Sequence, residues 1–321
     1  MRDILASVEA FLTGKRRDLV ALVGLVAMVL MPQATSAFNQ PACNFNFGFS
    51  NFADGGSPPE GYTPGIILSE VVQYFGASTL RDADGDKLPG ENRVSALVNT
   101  HELFFLPKLN EPLTGAQLGL DIVFPVAAGS VTIDGFSDSG PQGFGDFIFS
   151  PLLQWNNHTL FGLPYYHRFE VHTSAPTGQF DKDSTFNPGC NVWTVAPYYA
   201  QTLWFLPYNL EVSFRHQWRY VTEDPDTNIQ AGQTYIVNYA ASYGVTQNFR
   251  VGINGYAMQQ LTDDEQNGNK IPDSKERLFG LGPGVLYNKG SLTLMAMYYH
   301  EFAAQNRFEG FRVSTRMIYK F

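Results

Sequence analysis

Residues 207–221, which read PYNLEVSFRHQWRYV, decide the fold. In an extended chain, successive side chains point to opposite faces, so residues two apart share a face. One face of this stretch is apolar and carries Leu210, Val212, Phe214, Trp218 and Tyr220. The other face is polar and carries Glu211, Ser213, Arg215, Gln217 and Arg219. Such alternation predicts a β-strand with different surroundings on its two sides.

The same alternation recurs along the chain, whereas no segment after residue 37 shows sustained helical periodicity. We expect twelve strands, at residues 61–77, 91–106, 115–128, 143–155, 160–175, 190–203, 207–221, 231–246, 248–261, 277–288, 290–303 and 309–321. Long connections are expected near residues 78–90, 129–142, 176–189, 222–230, 262–276 and 304–308, and short turns at 156–159, 246–247 and 288–290. An even number of two-faced strands with alternating long and short connections is typical of an antiparallel transmembrane β-barrel of the bacterial outer membrane.

The composition agrees with this fold class and excludes several others. Only 16% of the 321 residues are charged, 14% are aromatic, and the net charge is −9. A chain this aromatic and poor in charge is unlike disordered chains, and its acidic excess argues against nucleic acid as a partner. No apolar run of about 20 residues follows residue 37, so a bundle of membrane helices is excluded. The acidic excess falls in the long connections, while the strands are close to neutral.

The first 37 residues have the pattern of a secretory signal peptide. A basic stretch precedes the apolar run from Leu19 to Met31, which is too short to span a bilayer as a helix. Thr35 and Ala37 have the small size required beside a cleavage site. Cleavage would leave residues 38–60 as an N-terminal segment, followed by a barrel of residues 61–321; an uncleaved anchor is the alternative.

Short motifs in the middle and C-terminal parts of the chain resemble those of one known family. They are Gly145-Asp146, Ser150-Pro151-Leu152, Pro176 to Asp181, Asn187 to Trp193, Pro197, Gly255-Tyr256, Gln259, Thr262 to Asp264, and Gly280 to Pro283. By their order and spacing, residues 60–321 resemble the outer-membrane family named for the meta-pathway of phenol degradation. The resemblance implies an outer-membrane barrel that passes hydrophobic or aromatic compounds. Cys190 departs from the family's Asn-x-Gly-x-Asn motif.

Two acidic connections are similar to each other and indicate a calcium site. Both place an oxygen-bearing side chain at every second position around a glycine, followed by Lys, a branched residue and Pro. Alternate carboxylate and amide oxygens suit a hard cation such as Ca²⁺. The candidate ligands are Asp82, Asp84, Asp86, Glu91, Glu265, Asn267, Asn269 and Asp273. Lys87 and Lys270 stand where such loops normally carry Gly, so solvated acidic turns are the alternative.

The chain has two cysteines, Cys43 and Cys190, and we expect it to enter an oxidising compartment. Cys43 begins on the periplasmic side, whereas Cys190 lies at the outer end of a predicted strand. The segment after Cys43 is rich in Phe, and at about 3.3 Å per residue it is long enough to reach through the lumen. We therefore expect residues 38–58 to enter the barrel as a plug that a Cys43–Cys190 disulfide holds. Two separate thiols are the alternative.

Alternation also places a set of charged side chains on the inner face of the barrel. The set comprises Arg168, Glu170, His172, Glu211, Arg215, Arg219, Arg250, Arg312, Arg316 and Lys320. Buried charges need partners, so one interpretation is an ion-pair network that stiffens a small barrel. The other is a pore lining whose basic excess favours anionic or neutral polar solutes. A lumen plugged by Phe-rich chain would instead favour apolar solutes.

These features favour a passive outer-membrane channel for small hydrophobic or aromatic compounds. The alternatives are a structural or cation-binding surface barrel without transport and, less favoured, an outer-membrane lipid-modifying enzyme. The six histidines are scattered and none lies near a Gly-framed Ser, so we expect no catalytic residue and no required cofactor. Expected partners are the lipid bilayer, lipopolysaccharide, a small-molecule solute and the outer-membrane assembly machinery. The last is expected because Tyr319 and Phe321 resemble the C-terminal signal that the assembly machinery binds.

Overall fold

Twelve long antiparallel strands form the wall of a closed barrel. In a computed structural model of the chain, which describes residues 47–49, 52–58 and 61–321, the strands are β1 (Gly65–Leu80), β2 (Arg93–Leu106), β3 (Gln117–Ile133), β4 (Ile148–Leu160), β5 (Leu163–Ser174), β6 (Thr194–Phe205), β7 (Leu210–Val221), β8 (Thr234–Gly244), β9 (Phe249–Gln260), β10 (Arg277–Lys289), β11 (Leu292–Gln305) and β12 (Phe308–Lys320). β12 pairs with β1, so the sheet closes and leaves no edge. The predicted fold class and strand number are confirmed.

The strands place apolar side chains on the outside of the barrel and polar side chains on the inside, the reverse of a water-soluble protein. On β7, the outward side chains of Phe214, Trp218 and Tyr220 are 39%, 36% and 37% exposed. The inward side chains of Arg215 and Arg219 are 3% and 1% exposed. An apolar outer face and a polar interior are what a barrel needs when lipid surrounds it. The faces assigned to residues 207–221 from the sequence are therefore the observed ones.

The turn predicted at residues 156–159 is wrong. β4 continues through these residues, and its connection to β5 lies at Phe161 and Gly162. Both have positive φ, 53° and 76°, as required in the tight hairpin turns that match strand twist. Asn156 has a different role, because its side-chain amide accepts from the backbone N–H of Tyr62 at 3.0 Å and donates to the Tyr62 carbonyl at 2.8 Å.

The long connection predicted at residues 304–308 is also wrong, because only a two-residue turn separates β11 from β12. Asn306 lies in this turn with a φ of 51°. Its backbone N–H donates to the Asp82 carbonyl at 2.9 Å, and its amide donates to the Asp273 carbonyl at 2.6 Å. A short turn here thus holds two neighbouring loops together.

The two ends of the barrel differ in the length of their connections. The long-loop end carries residues 81–92, 134–147, 175–193, 222–233 and 261–276. The short-turn end carries residues 107–116, 161–162, 206–209, 245–248 and 290–291. At the long-loop end, Ile229–Gln230, Glu265–Gln266 and Asn269–Lys270 form a small separate sheet, and Phe136–Asp138 and Gly143–Phe144 pair with β3. In bacterial barrels the longer loops face outward and the short turns face the periplasm.

The predicted signal peptide, residues 1–37, lies wholly outside the described residues, so its cleavage stays a prediction. Within the part of the chain that the structure describes, no helix is long and apolar enough to cross a bilayer.

Candidate functional site

The described residues of the N-terminal segment lie inside the barrel, against its wall. Phe47 and Phe52 are 2% and 1% exposed and pack with inward side chains of the strands. The backbone N–H of Gly48 donates to Asn238 Oδ1 at 2.9 Å, and that of Gly55 donates to Thr202 Oγ1 at 2.8 Å. Side chains of the barrel wall therefore accept hydrogen bonds from backbone N–H groups of the N-terminal segment, which has no strand partner to accept them. The rest of residues 38–60 lies outside the described residues.

Asp54 is the charged centre of this segment. Arg215 Nε and Nη2 each donate to its carboxylate at 3.0 Å, and Arg168 Nη1 donates to its backbone carbonyl at 3.3 Å. All three residues are at least 95% buried. Burial raises the pKa of Asp54, but the guanidiniums of Arg215 and Arg168 together lower it more, so the pKa lies below its ordinary value. A forked Arg–carboxylate pair of this kind fixes orientation as well as charge.

The predicted inward-facing residues all lie on the inner face, and most are paired. Arg168 Nε contacts Glu170 at 3.0 Å, and Arg316 Nη2 contacts Glu102 at 2.6 Å. The remaining members of the predicted set are His172, Glu211, Arg215, Arg219, Arg250, Arg312 and Lys320. An ion-pair network is therefore what the structure forms from them.

Several partners of this network were missed by the sequence interpretation. They are Asp54, Glu102, Asp121 and Glu301. Glu102 on β2, Asp121 on β3 and Glu301 on β11 alternate with apolar residues on predicted strands. The alternation of these strands could therefore have identified them as inward-facing. Asp54 carried no such signal, because it lies on an irregular segment.

Two cavities lie on either side of the described N-terminal residues. The cavity toward the long-loop end has a volume of about 300 Å³, and Phe47, Phe49 and the loop residue Phe186 line it. The cavity toward the short-turn end has a volume of about 330 Å³, and its lining includes Phe52 and the turn residue Asn248. Of the predicted inward residues, His172, Arg215, Arg312 and Arg316 line the first cavity, and Arg250, Arg316 and Lys320 line the second.

In the first acidic loop, carboxylates are engaged within the loop itself. Asp82 Oδ1 accepts the backbone N–H groups of Asp84 and Asp86 at 3.0 and 2.8 Å. Glu91 forms an ion pair with Arg93 at 3.2 Å. These contacts shape the loop without indicating an ion, and calcium binding there stays a prediction.

In the second acidic loop, the candidate ligands are spread over a small hairpin. Glu265 pairs with Lys270 in strand register, and Asn269 pairs with Gln266. Asn267 and Asp273 have φ of 51° and 59°, which places both in turns. Calcium binding by this loop likewise stays a prediction.

Three of the motifs that carry the family resemblance meet at Asp146, which is fully buried. Its Oδ1 accepts the backbone N–H of Gly178 at 2.9 Å, and its Oδ2 accepts that of Cys190 at 3.0 Å. The loop is thus held through the backbone of residue 190, which explains why a cysteine is accommodated there. Cys190 is buried and disulfide-bonded. Cys43 lies outside the described residues, so the Cys43–Cys190 pairing stays a prediction.

At the C-terminus, the Tyr319 and Phe321 rings contact each other edge to face, with centroids 5.0 Å apart. Tyr319 lies on β12 and is 41% exposed on the outer face. Their role as an assembly signal stays a prediction.

A closed twelve-stranded barrel with an apolar outer face and a polar, charge-paired interior defines a bacterial outer-membrane β-barrel protein. A family model described as "Putative MetA-pathway of phenol degradation" matches residues 77–317. The chain belongs to this family, as the motifs predicted. A comparison with curated proteins finds no match.

Solved structures agree with this fold. An outer membrane channel from Pseudomonas putida F1 is 16% identical with a TM-score of 0.70, and the match covers 82% of this chain and 97% of that one. A FadL homologue from Pseudomonas aeruginosa is 11% identical with a TM-score of 0.40, covering 89% and 94% of the two chains. The β domain of the Bordetella autotransporter BrkA is 10% identical with a TM-score of 0.44, covering 81% and 100%. At 16% identity, the similarity to the Pseudomonas putida channel concerns the fold alone.

Proposed function

We propose that the protein is a passive channel through which small hydrophobic or aromatic compounds cross the outer membrane. The cavity toward the long-loop end carries this proposal. Its lining is mainly apolar and includes Phe47, Phe49, Phe75, Val98, Val123 and Phe186. Pockets for small organic molecules combine apolar walls with polar groups that orient the ligand, and this cavity also carries charged side chains, among them Glu102, Arg307 and Arg312.

The size of this cavity suits a compound with one aromatic ring. A cavity of about 150 Å³ lined by aliphatic and aromatic side chains is large enough to bind benzene, and this one has about 300 Å³. Arg312 and Arg316 lie at its wall and can donate to a hydroxyl or carboxylate substituent. The family description, which refers to phenol degradation, supports the same class of compound.

A route from one end of the barrel to the other passes Arg316, the one predicted inward residue that lines both cavities. Its Nη1 donates to the Phe49 carbonyl at 3.1 Å, and its Nε donates to Ser69 Oγ at 2.9 Å. The arginine is therefore bound both to the N-terminal segment and to the wall. Passage of a solute requires local movement here, and no chemical step.

Two neighbouring residues allow a matched test in cells that lack the gene. Val98 lines the cavity, whereas Leu97 is 49% exposed on the lipid face of the same strand. Cells carrying the wild-type protein should take up a radiolabelled monocyclic aromatic compound several-fold faster than cells without it. Val98→Trp should remove most of this gain because the indole fills the cavity, and Leu97→Trp should retain it. Equal uptake with and without the protein, or full activity of Val98→Trp, would contradict the proposal.

The paired charges of the interior favour one alternative, a closed structural barrel that transports nothing. Nearly all of the inward arginines have a carboxylate or carbonyl partner among the described residues, as expected for a rigid interior. Conductance across planar bilayers separates the two functions: a channel gives discrete steps, and a closed barrel gives none.

Further parts of this function are also our proposals. Contact with the lipid bilayer follows from the barrel itself, while lipopolysaccharide, the assembly machinery and calcium at the acidic loops are additional proposed partners. We also propose that the barrel is not an enzyme, which is consistent with its similarity in fold to a channel. Release of fatty acid from phospholipid by the purified protein, with or without Ca²⁺, would overturn that part.

A further inference from the structure

Three potential metal ligands converge on the inner wall of the barrel. They are Asp121 on β3 and Glu170 and His172 on β5. His172 Nε2 lies 3.1 Å from Glu170 Oε1 and 3.9 Å from Asp121 Oδ2. One ligand atom from each residue lies within 4.8 Å of the others, and in the part of the chain that the structure describes no other group of three His, Cys, Asp or Glu residues does so.

Among the described residues, no donor lies within hydrogen-bonding distance of either carboxylate oxygen of Asp121, although the side chain is completely buried. The His172 Nε2 atom is at 3.9 Å, beyond that distance. Ser150 lies directly opposite Asp121 in the pairing of β3 with β4 and is also fully buried, and its hydroxyl has no hydrogen-bond partner within the described part of the chain. Leaving a buried carboxylate without compensation is costly, and a cation beside these oxygens would remove that cost.

Charges around Asp121 do not balance. Each of three nearby carboxylates has its own guanidinium partner, in the pairs Asp54 with Arg215, Glu170 with Arg168 and Glu102 with Arg316. Asp121 forms no ion pair with an arginine among the described residues, and it lies close enough to Glu102 and Glu170 to be repelled by both. Four carboxyl groups therefore share three guanidinium partners at this point of the wall.

Glu170 is held so that one oxygen faces the group. Its Oε2 accepts from Arg168 Nε at 3.0 Å and from the Tyr198 hydroxyl. Its Oε1 is the atom directed at His172. Metal-ligating carboxylates are commonly oriented by such outer contacts, which leave the ligating oxygen directed at the ion.

We propose that Asp121, Glu170 and His172 bind a divalent transition-metal ion such as Zn²⁺. One imidazole nitrogen with two carboxylate oxygens suits first-row transition metals, whereas Ca²⁺ takes oxygen ligands throughout. The ion reaches the site through the cavity toward the long-loop end, which His172 lines. Bound there, it neutralises the excess negative charge and fixes β3 and β5 relative to each other. This site is separate from the acidic loops for which calcium is predicted.

Zinc binding to the purified full chain in detergent tests the proposal. After treatment with EDTA and its removal, equilibrium dialysis should give about one Zn²⁺ per chain. Asp121→Asn and His172→Gln should each weaken binding at least tenfold. His216→Gln is the matched control, because His216 lies on the outer face and hydrogen-bonds Tyr235 there; it should bind as the wild type does.

Two further measurements keep the result interpretable. Each variant is compared with the wild type for heat-dependent mobility on a gel, which reports a folded barrel. Co²⁺ bound at the site should give visible absorption bands that Asp121→Asn and His172→Gln abolish. Absence of Zn²⁺ binding by the wild type would overturn the proposal. Undiminished binding by folded Asp121→Asn and His172→Gln would overturn it as well.

Discussion

Asp54 joins the N-terminal segment to two strands of the barrel wall through hydrogen bonds with arginine side chains. Its carboxylate accepts two hydrogen bonds from Arg215 on β7, and its backbone carbonyl accepts one from Arg168 on β5. Removing one partner of a buried ion pair costs more than the pair itself contributes, because the remaining charge stays buried. The N-terminal segment should therefore depend strongly on this single residue.

Replacing Asp54 with Asn should detach the segment from the wall. We expect a loss of about 3 kcal/mol in the stability of the docked state, because Arg215 is left without its carboxylate. Bilayer conductance should rise as the segment leaves the lumen. Asp183→Asn, at an exposed loop position, is the control and should change neither quantity. Unchanged conductance of Asp54→Asn would show that the ion pair does not hold the segment.

The pH dependence of this contact follows from the lowered pKa of Asp54. A group whose pKa is lower in the folded state stabilises that state above its unfolded pKa, about 3.9 for Asp. The stabilisation is lost as the pH falls through the lowered value. The contact should therefore stay intact between about pH 5 and 7, and the wild-type conductance should be constant over that range. The conductance should rise only below about pH 4, where the Asp54 carboxylate begins to be protonated. Asp54→Asn should show no such step, and a wild-type step near pH 6 would contradict the assignment.

At the scale of elements, two wall strands form a recess that receives the Phe52 ring. Gly252 on β9 and Gly284 on β10 face each other in the strand register. A Cβ atom at either position would come within 2.9 Å of the ring. A Cβ atom would also meet the Ala241 carbonyl oxygen at Gly252 and the Asn254 side-chain oxygen at Gly284, so the close approach of the ring and of these oxygens together requires glycine.

Phe52→Ala should empty this recess and weaken docking of the N-terminal segment by about 3 kcal/mol, the usual cost of removing a buried aromatic side chain. Added protease should then cut the segment faster in the folded protein, with cleavage followed by mass spectrometry. The matched control is Phe136→Ala, whose side chain is 84% exposed in a loop. Equal cleavage rates for the two variants would contradict a role for the recess.

Elements themselves were largely predictable from the sequence, since period-two alternation is a local property of each strand. All twelve long strands overlap their predicted ranges. The failure at residues 156–159 has a tertiary cause: Asn156, a common turn residue, is used in β4 to bind the backbone of Tyr62. A local turn signal cannot reveal a partner that is distant in the sequence.

For the whole molecule, we predict that one disulfide ties the N-terminal segment to the barrel. Cys190 is buried beside Val192 and Val221 at the long-loop end. With only two cysteines in the chain, we predict a bond to Cys43. Intact mass measurement after alkylation should find no reactive thiol in the unreduced protein and two after denaturation and reduction. Two alkylated thiols without reduction would contradict the pairing.

By itself, the sequence determined the barrel class, the strand number and which face of each strand is polar, because these depend on alternation within one strand. It also identified the inward charges from Arg168 to Arg316. Only the tertiary structure decided which charges meet, because pairing depends on the register between strands far apart in the chain. Asp54 meets Arg215 only when the barrel encloses the N-terminal segment, whereas Asp121 meets Glu170 and His172 through the register of β3, β4 and β5.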